Sequence, residues 1–115
     1  MRAVFKELTI FQKCRPDYLS DDEFSEMQQF LLRNPEAGDV IQETGGLRKL
    51  RWIDSRRGKG KRGGVRVIYY WYFGEQQFWL FTIYDKDEAA DISREQKKVL
   101  RALLEAELAA RRAES

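Results

Sequence analysis

The stretch from Gly45 to Asp85 decides the fold, because it contains three consecutive segments that are typical of β-strands. They read Gly45-Gly46-Leu47-Arg48-Lys49-Leu50-Arg51-Trp52-Ile53-Asp54, Val65-Arg66-Val67-Ile68-Tyr69-Tyr70-Trp71-Tyr72-Phe73 and Gln77-Phe78-Trp79-Leu80-Phe81-Thr82-Ile83-Tyr84-Asp85. Aromatic and β-branched residues dominate these segments, and turns such as Gly74-Glu75-Gln76 separate them. The pattern therefore predicts three neighbouring strands.

Successive side chains of a strand point to opposite faces, so each face can be read from the alternation. In the first strand Leu50 and Trp52 share one face, while Lys49 and Arg51 share the other. The second strand sets Val65, Val67, Tyr69, Trp71 and Phe73 against Arg66, Ile68, Tyr70 and Tyr72. The third sets Trp79, Phe81 and Ile83 against Phe78, Leu80, Thr82 and Tyr84. Because both faces are largely apolar, we expect helices to cover one face and to leave the other partly exposed.

Capping chemistry marks a helix on each side of the strands. Ser20 and Glu23 form a capping-box pattern that begins one helix, and the proline after Asn34 ends it. Ser93 and Gln96 form a second capping-box pattern, which begins a C-terminal helix. Residues 109–115 contain no apolar side chain larger than alanine, so this helix is predicted to fray there.

Weaker patterns fill the N-terminal part of the chain. A short strand is predicted within residues 3–8, and Pro16 interrupts the helical spacing that starts at Ile10. Val40 and Ile41 predict a short extended segment. A chain of 115 residues is the size of one small domain, so we expect a single α+β domain over residues 1–115.

Composition excludes several kinds of chemistry. The chain has no histidine and one cysteine, which removes the usual serine and cysteine triads, most zinc sites and any intramolecular disulfide. No cofactor is expected. The sequence has no apolar run long enough to span a bilayer and no pattern typical of a signal peptide. We therefore expect a soluble cytoplasmic protein without a membrane partner.

Positive charge is concentrated in one element. From Arg48 to Arg66 there are nine lysine or arginine residues and one acid, whereas the whole chain has 21 and 19. Five of the cations lie in a glycine-rich loop between the first two strands: Arg56, Arg57, Lys59, Lys61 and Arg62. An ordinary solvated hairpin loop would explain them. Their continuation onto strands rich in aromatic residues instead favours binding of single-stranded nucleic acid, through phosphate neutralisation and base stacking.

Three further residues have a structural and a functional interpretation. Arg66 lies in an otherwise apolar strand, where it either reaches water along an open face or presents paired donors to a phosphate. Tyr84 and Lys86 close the third strand, and loops at strand ends often carry function. On composition alone, Tyr84 is an aromatic residue at the rim and Lys86 is a solvated cation.

Several motifs taken together resemble the RelE/ParE toxin superfamily, and most closely its HigB-type branch. They are Gly46-Leu47-Arg48-Lys49-Leu50-Arg51, the basic glycine-rich loop, Gly64-Val65-Arg66-Val67-Ile68-Tyr69-Tyr70, Phe81-Thr82-Ile83-Tyr84-Asp85-Lys86-Asp87-Glu88 and Gln96-Lys97-Lys98. The resemblance implies a compact α+β domain in which a twisted antiparallel sheet packs against two N-terminal helices and is followed by a C-terminal helix. It also implies a monomeric toxin that cuts mRNA in the ribosomal A site and is neutralised by a HigA-like antitoxin.

The resemblance further implies which residues carry the chemistry. The 2′-hydroxyl of RNA can attack the adjacent phosphate if a base assists it, and cations can stabilise the charge that develops. Lys49, Arg51, Arg66 and Lys86 fall at or near basic active-site positions of RelE-like toxins, and Arg48 joins the loop cations as an RNA-binding residue. Where relatives use a C-terminal tyrosine or histidine this chain has Ile92, so Tyr84 is the remaining candidate. The identities of the general base and acid stay open.

Two other functions are compatible with this sequence. One is a ParE-like toxin of the same fold that inhibits DNA gyrase without nuclease activity, and the other is a non-catalytic RNA-binding domain. The set Lys49, Arg51, Arg66 and Lys86 favours the nuclease, because a gyrase inhibitor does not need cations directed at a phosphate.

Overall fold

A computed structural model describes residues 2–52, 64–85 and 92–114 of the protein. Within these ranges the helices are α1 (Thr9–Cys14), α2 (Asp21–Arg33) and α3 (Arg94–Glu114). The strands are β1 (Val4–Glu7), β2 (Asp39–Val40), β3 (Arg48–Trp52), β4 (Val65–Tyr72) and β5 (Gln77–Asp85). The predicted α+β fold class is confirmed.

The strands form one twisted sheet in the order β1-β5-β4-β3-β2. The three predicted central strands pair antiparallel, β3 with β4 and β4 with β5, while β1 lies parallel to β5. The extended segment predicted at Val40 is the short edge strand β2, which pairs antiparallel with β3. The sheet thus extends the central hairpins by one strand on each side.

Helices α1 and α2 cover one face of the sheet. Both predicted features of α2 are present, since the Ser20 and Glu23 side chains each bond the other residue's backbone N–H and Asn34 follows the last turn. As predicted, α1 gives way to a 3₁₀ turn that contains Pro16. The buried core on this face consists of Phe11, Leu19, Phe24, Met27, Leu31, Leu50, Val65, Val67, Tyr69, Phe78, Leu80 and Ile83.

Helix α3 covers the opposite face, so the expectation of a partly exposed face is wrong. Leu100 and Leu104 pack with Ile68, Trp79 and Phe81 in a second buried cluster. The expectation failed because the apolar stripe of α3 predicts a buried face without indicating which side of the sheet it meets. Burial on both faces explains why the central strands are apolar in both alternating sets.

The C-terminal end of α3 does not fray as the sequence predicted. The helix continues to Glu114, and Arg111 donates a 2.7 Å hydrogen bond to Gln77 at the start of β5. The Arg111 guanidinium also lies 5.8 Å from the centre of the Trp79 ring. Nearer the middle of the helix, Lys6 and Glu107 form a 2.7 Å ion pair. These polar contacts hold an end that lacks large apolar side chains.

A β-bulge shifts the alternation in β5. Ile68 pairs with Thr82, whereas the next residue, Tyr69, pairs with Leu80, so Phe81 is the extra residue. Beyond this point the predicted alternation is wrong. Ile83 packs on the α1 and α2 face, and Tyr84 packs on the α3 face with Phe81. The bulge therefore determines that Tyr84 faces α3.

A buried tyrosine ties the connection between α2 and β2 to the sheet. The Tyr69 hydroxyl donates a 2.8 Å hydrogen bond to the Pro35 carbonyl and accepts a 3.0 Å bond from the Gly38 N–H. Burial raises the pKa of the Tyr69 phenol above its ordinary value of 10.0, although the Gly38 bond and the Arg48 charge oppose the rise. The neutral phenol is therefore the form that the fold requires.

Replacing Tyr69 with phenylalanine is expected to lower the free energy of unfolding by about 1–3 kcal/mol, because it leaves the buried Gly38 N–H and the half-buried Pro35 carbonyl without this partner. Since the folded protein binds the phenolic proton more tightly than the unfolded chain, the hydroxyl's contribution is complete below pH 10 and is lost as pH rises further. Urea midpoints at pH 8 and pH 10.5 measure both effects. A gap between wild type and Tyr69→Phe that does not narrow at the higher pH would contradict the assignment.

Candidate functional site

Three predicted site residues form one row across the sheet. Arg51 of β3 lies directly opposite Arg66 of β4, and Arg66 lies opposite Tyr84 of β5. Directly paired residues of antiparallel strands share a face, and Tyr84 packs with the α3 cluster. The row therefore lies on the α3 face. We call Arg51, Arg66 and Tyr84, together with Lys49, the cationic row.

Lys49 belongs to the neighbouring rung of the same face. It pairs with Ile68, which is buried beneath α3. Three members of the row are half-buried, namely Lys49, Arg66 and Tyr84, and Arg51 is exposed. The row therefore lies at the rim of the covered face. The strand backbones fix where each of these side chains starts.

Arg51 and Arg66 bring two like charges to directly paired positions of β3 and β4. The Cβ atoms of directly paired residues are about 5 Å apart, and like charges at such positions destabilise a sheet. Two guanidinium groups that start from adjacent positions can together bind one anion, because each offers a planar fork of N–H donors. The arrangement thus provides complementary charge for a phosphate.

The structure separates Arg48 from the cationic row. Arg48 lies on the α1 and α2 side of β3, where it donates hydrogen bonds to the Gly38 carbonyl at 2.8 Å and the Glu36 carbonyl at 3.2 Å. It also forms a 3.0 Å ion pair with the Glu36 carboxylate. These contacts hold the connection that Tyr69 also anchors. They give Arg48 a structural role, and its RNA-binding role stays a prediction from the sequence.

The remaining predicted residues lie outside the described ranges. They are the catalytic candidate Lys86 and the loop cations Arg56, Arg57, Lys59, Lys61 and Arg62. Their roles stay predictions from the sequence. The ends of β3, β4 and β5 from which these two segments depart lie at the same end of the sheet as the cationic row, as the pairing of Trp52 with Val65 and of Val65 with Asp85 establishes.

A groove of about 460 Å³ lies on the other side of α3, towards α1. Its lining is mostly apolar and includes Ile10, Phe81, Ile92, Val99 and Leu103, with Tyr84 at one end. Lysine and arginine are absent from its lining among the described residues. The groove is therefore unsuited to a phosphate, and the cationic row is the better candidate site.

Metal binding and membrane insertion find no support in the parts of the chain that the structure describes. There, histidine, cysteine and acidic side chains do not gather in groups of three or more that could hold a metal ion. In the same parts of the chain, each helix is too short or too polar to cross a membrane.

The fold and the cationic row together define a small α+β protein with a covered sheet and a basic rim. Residues 1–114 match the family model described as RelE toxin of RelE / RelB toxin-antitoxin system. The chain therefore belongs to the RelE toxin family, and it is a toxin of a toxin–antitoxin system. The resemblance inferred from the sequence motifs is confirmed at this level.

Two solved structures from E. coli have a similar fold. A doubly arginine-substituted mutant of toxin RelE in the free state is 13% identical, with a TM-score of 0.56, over 78% of this chain and 90% of that chain. The toxin in the intact RelBE toxin–antitoxin complex is 13% identical, with a TM-score of 0.50, over 71% of this chain and 94% of that chain. At this identity the likeness concerns the fold.

Proposed function

We propose that this toxin is a ribosome-dependent, metal-independent mRNA endonuclease of the HigB type, and that it inhibits translation by cutting mRNA. The observation that carries the proposal is the cross-strand row of Arg51, Arg66 and Tyr84, with Lys49 one rung away on the same face. Two arginines at directly paired positions of a sheet can together direct their N–H donors at one anion. A phosphate of the mRNA backbone is the anion that the family suggests.

The two arginines supply the electrostatic part of the reaction. Attack of the 2′-oxygen on the adjacent phosphorus forms one P–O bond and breaks the bond to the 5′-oxygen, and negative charge builds up on the phosphate oxygens between these events. Arg66 is half-buried and starts from the central strand β4, so its paired N–H donors are better positioned than those of a cation in a loop. Arg51 adds a second fork from the neighbouring strand.

Lys49 and Tyr84 are the groups of the row that can transfer protons. One takes the proton from the 2′-hydroxyl, and the other gives a proton to the departing 5′-oxygen, so that the charge on each oxygen is balanced as its bond changes. Lys86 remains a further catalytic candidate from the sequence. The loop cations at positions 56–62 would act through their summed field, which attracts RNA without positioning it.

The ribosome supplies the alignment that this small site lacks. A chain with no histidine has few strong general bases at neutral pH, so much of the rate must come from holding the 2′-oxygen in line with the phosphorus. mRNA held in the A site can be placed in that geometry. The proposed reaction partners are therefore the ribosomal A site and its mRNA.

The central test compares translated mRNA with naked mRNA. We expect cleavage, detected by primer extension in a cell-free system, only when ribosomes are translating the message. Rapid cutting of naked RNA would contradict ribosome dependence. Inhibition of gyrase-driven supercoiling with intact mRNA would replace this proposal with the ParE-like alternative. Binding to RNA without either activity would leave the non-catalytic RNA-binding domain.

A HigA-like antitoxin is the proposed neutralising partner. The E. coli relative is known in complex with its antitoxin RelB, and the notion of a HigA-type partner comes from the sequence resemblance. We expect expression of this chain alone to arrest growth, and co-expression of a small helix-turn-helix protein from the neighbouring gene to restore it. Normal growth at confirmed expression of the folded chain would contradict the toxic role.

A further inference from the structure

The first two turns of α3 carry a stripe of positive charge. Arg94, Lys97, Lys98 and Arg101 follow the spacing i, i+3, i+4, i+7, which places them along one side of the helix. With Glu95 as the one acid, residues 94–101 have four cations and a net charge of +3, whereas residues 102–110 have two acids, no cation and a net charge of −2. We call the four cations the α3 stripe.

Helix stability does not explain this stripe. The N-terminus of a helix is the positive end of its dipole, so cations in the first turns are unfavourable and acids are preferred. Helix α2 follows that preference with Asp21, Asp22 and Glu23 in its first turn. Helix α3 has one acid, Glu95, in its first turn. The cations of the stripe that lie in the first turn are therefore unfavourable for the helix itself.

Within the part of the chain that the structure describes, nearby acids neutralise the stripe only weakly. Lys98 lies 3.9 Å from Glu95, and Arg101 lies 3.6 Å from Glu105. All four side chains are more than half exposed, and exposed pairs of this kind contribute about 0–1 kcal/mol. A phosphate can displace such contacts at little cost.

The fold turns the stripe towards the cationic row. Leu104 points to the β3 side of α3. Its side chain lies 3.5 Å from the point where a Cβ would stand on Gly45, just before β3. Lys97 precedes Leu104 by seven residues, about two helical turns, so it lies on nearly the same side. Val99 and Leu103 line the apolar groove towards α1. The two flanks of α3 therefore differ, and the cationic one faces β3 and β4.

The stripe also lies at the same end of the sheet as the cationic row. Helix α3 runs antiparallel to β5, because Arg111 contacts Gln77 at the start of the strand and Gln96 lines a groove with Tyr84 near its end. The first turns of α3 are thus level with Tyr84, whose partners across the sheet are Arg66 and Arg51. The cations of two separate elements border one surface.

We propose that the α3 stripe is a second RNA-contacting surface, which binds the phosphate backbone of structured RNA beside the segment held by the cationic row. The inference rests on the proposed function in that its ligand is RNA. A line of cations along a helix suits a polymer with regularly spaced negative charges, and it continues a surface on which phosphate-directed arginines already lie. Ribosomal RNA is the expected source of these phosphates.

The test compares two pairs of charge removals in the full chain. Lys97→Gln with Arg101→Gln removes two cations from the stripe, and Lys13→Gln with Arg33→Gln removes two exposed cations from α1 and α2. Binding to vacant ribosomes is measured over a range of salt concentrations. The stripe variant is expected to bind about tenfold more weakly at low salt, with a salt dependence reduced by about 0.7–0.9 per lost phosphate contact. The control pair should bind as wild type does.

A second pair of substitutions guards against an effect on folding, and a second RNA identifies the ligand. Arg94→Gln with Lys98→Gln removes two exposed cations and should give the same loss even if the half-buried Lys97 proves important for stability. Weaker binding to a single-stranded mRNA oligonucleotide alone would assign the contact to mRNA phosphates. Equal binding of all variants to both RNAs would overturn the inference, and so would loss confined to antitoxin binding.

The outcomes also separate this inference from the proposed nuclease. A wild-type protein that binds ribosomes through the stripe but cuts no mRNA would refute the nuclease and support the stripe. A wild-type protein that cuts mRNA while the stripe variants bind ribosomes unchanged would support the nuclease and refute the stripe. Absence of ribosome and RNA binding by the wild-type protein would overturn both.

Discussion

Replacing Arg66 with alanine is expected to lower the rate of mRNA cleavage on programmed ribosomes by about 100-fold or more. This is the scale of loss on removing one donor that stabilises a transition state. Arg66 is half-buried on the central strand β4 and lies between Arg51 and Tyr84 in the cationic row. Its position is therefore fixed by the sheet. The measurement is single-turnover cleavage at saturating toxin, which separates chemistry from binding.

Matched variants distinguish the contribution of the paired N–H donors of Arg66 from that of its positive charge. Arg66→Lys keeps one positive charge but loses the paired donors, so its rate should lie between those of wild type and Arg66→Ala. Arg33→Ala removes an exposed cation on α2 behind the sheet and should leave the rate unchanged. Lys59→Ala should mainly weaken ribosome binding in a salt-dependent way. If Arg66→Ala cuts at the wild-type rate while Lys59→Ala does not, the loop is the active site.

The local features of this fold could be predicted because their causes lie close together in the sequence. The cap bonds between Ser20 and Glu23, and between Ser93 and Gln96, join residues three apart and are both present. The end of α2 at Asn34 follows from the adjacent proline. Strand alternation likewise placed Lys49 and Arg51 together on one face of β3.

Features that depend on distant partners could not be read from the sequence. The bulge in β5 needs only one extra residue, and Phe81 and Thr82 both suit a strand, so the pattern did not show where alternation would shift. That shift moves Tyr84 onto the face of Arg66. Arg48 seemed to be one more cation of a basic segment, because its carbonyl partners at residues 36 and 38 were not apparent as neighbours.

Helix α3 connects the stability of the fold with the candidate site. It covers the sheet face on which the cationic row lies. Its residues Leu100 and Leu104 are buried against that face, in the cluster with Ile68, Trp79 and Phe81. The polar ties of Lys6 to Glu107 and of Gln77 to Arg111 fasten its C-terminal half. The N-terminal half of α3 does not take part in these two contacts. It carries the α3 stripe, whose charge is available to bind a ligand.

The second large effect is expected from Leu104→Ala, which should lower the free energy of unfolding by about 2–5 kcal/mol, the range for removing a buried leucine side chain. Leu104 is 1% exposed and belongs to the cluster that joins α3 to Ile68, Trp79 and Phe81. Alanine is the strongest helix former, so the change acts through lost packing and not through helix propensity. The free energy of unfolding of such domains is only about 5–15 kcal/mol, so this substitution should remove a large part of it.

Val99→Ala on the same helix is the matched control, because Val99 is 59% exposed and surface changes usually stay within about 0.5 kcal/mol. Urea unfolding of wild type and both variants measures the effect as a shift in midpoint at constant slope. A midpoint for Leu104→Ala equal to that of Val99→Ala would mean that α3 does not pack against the sheet in solution. The cationic row would then lie on an open face, and the α3 stripe would lose its place beside it.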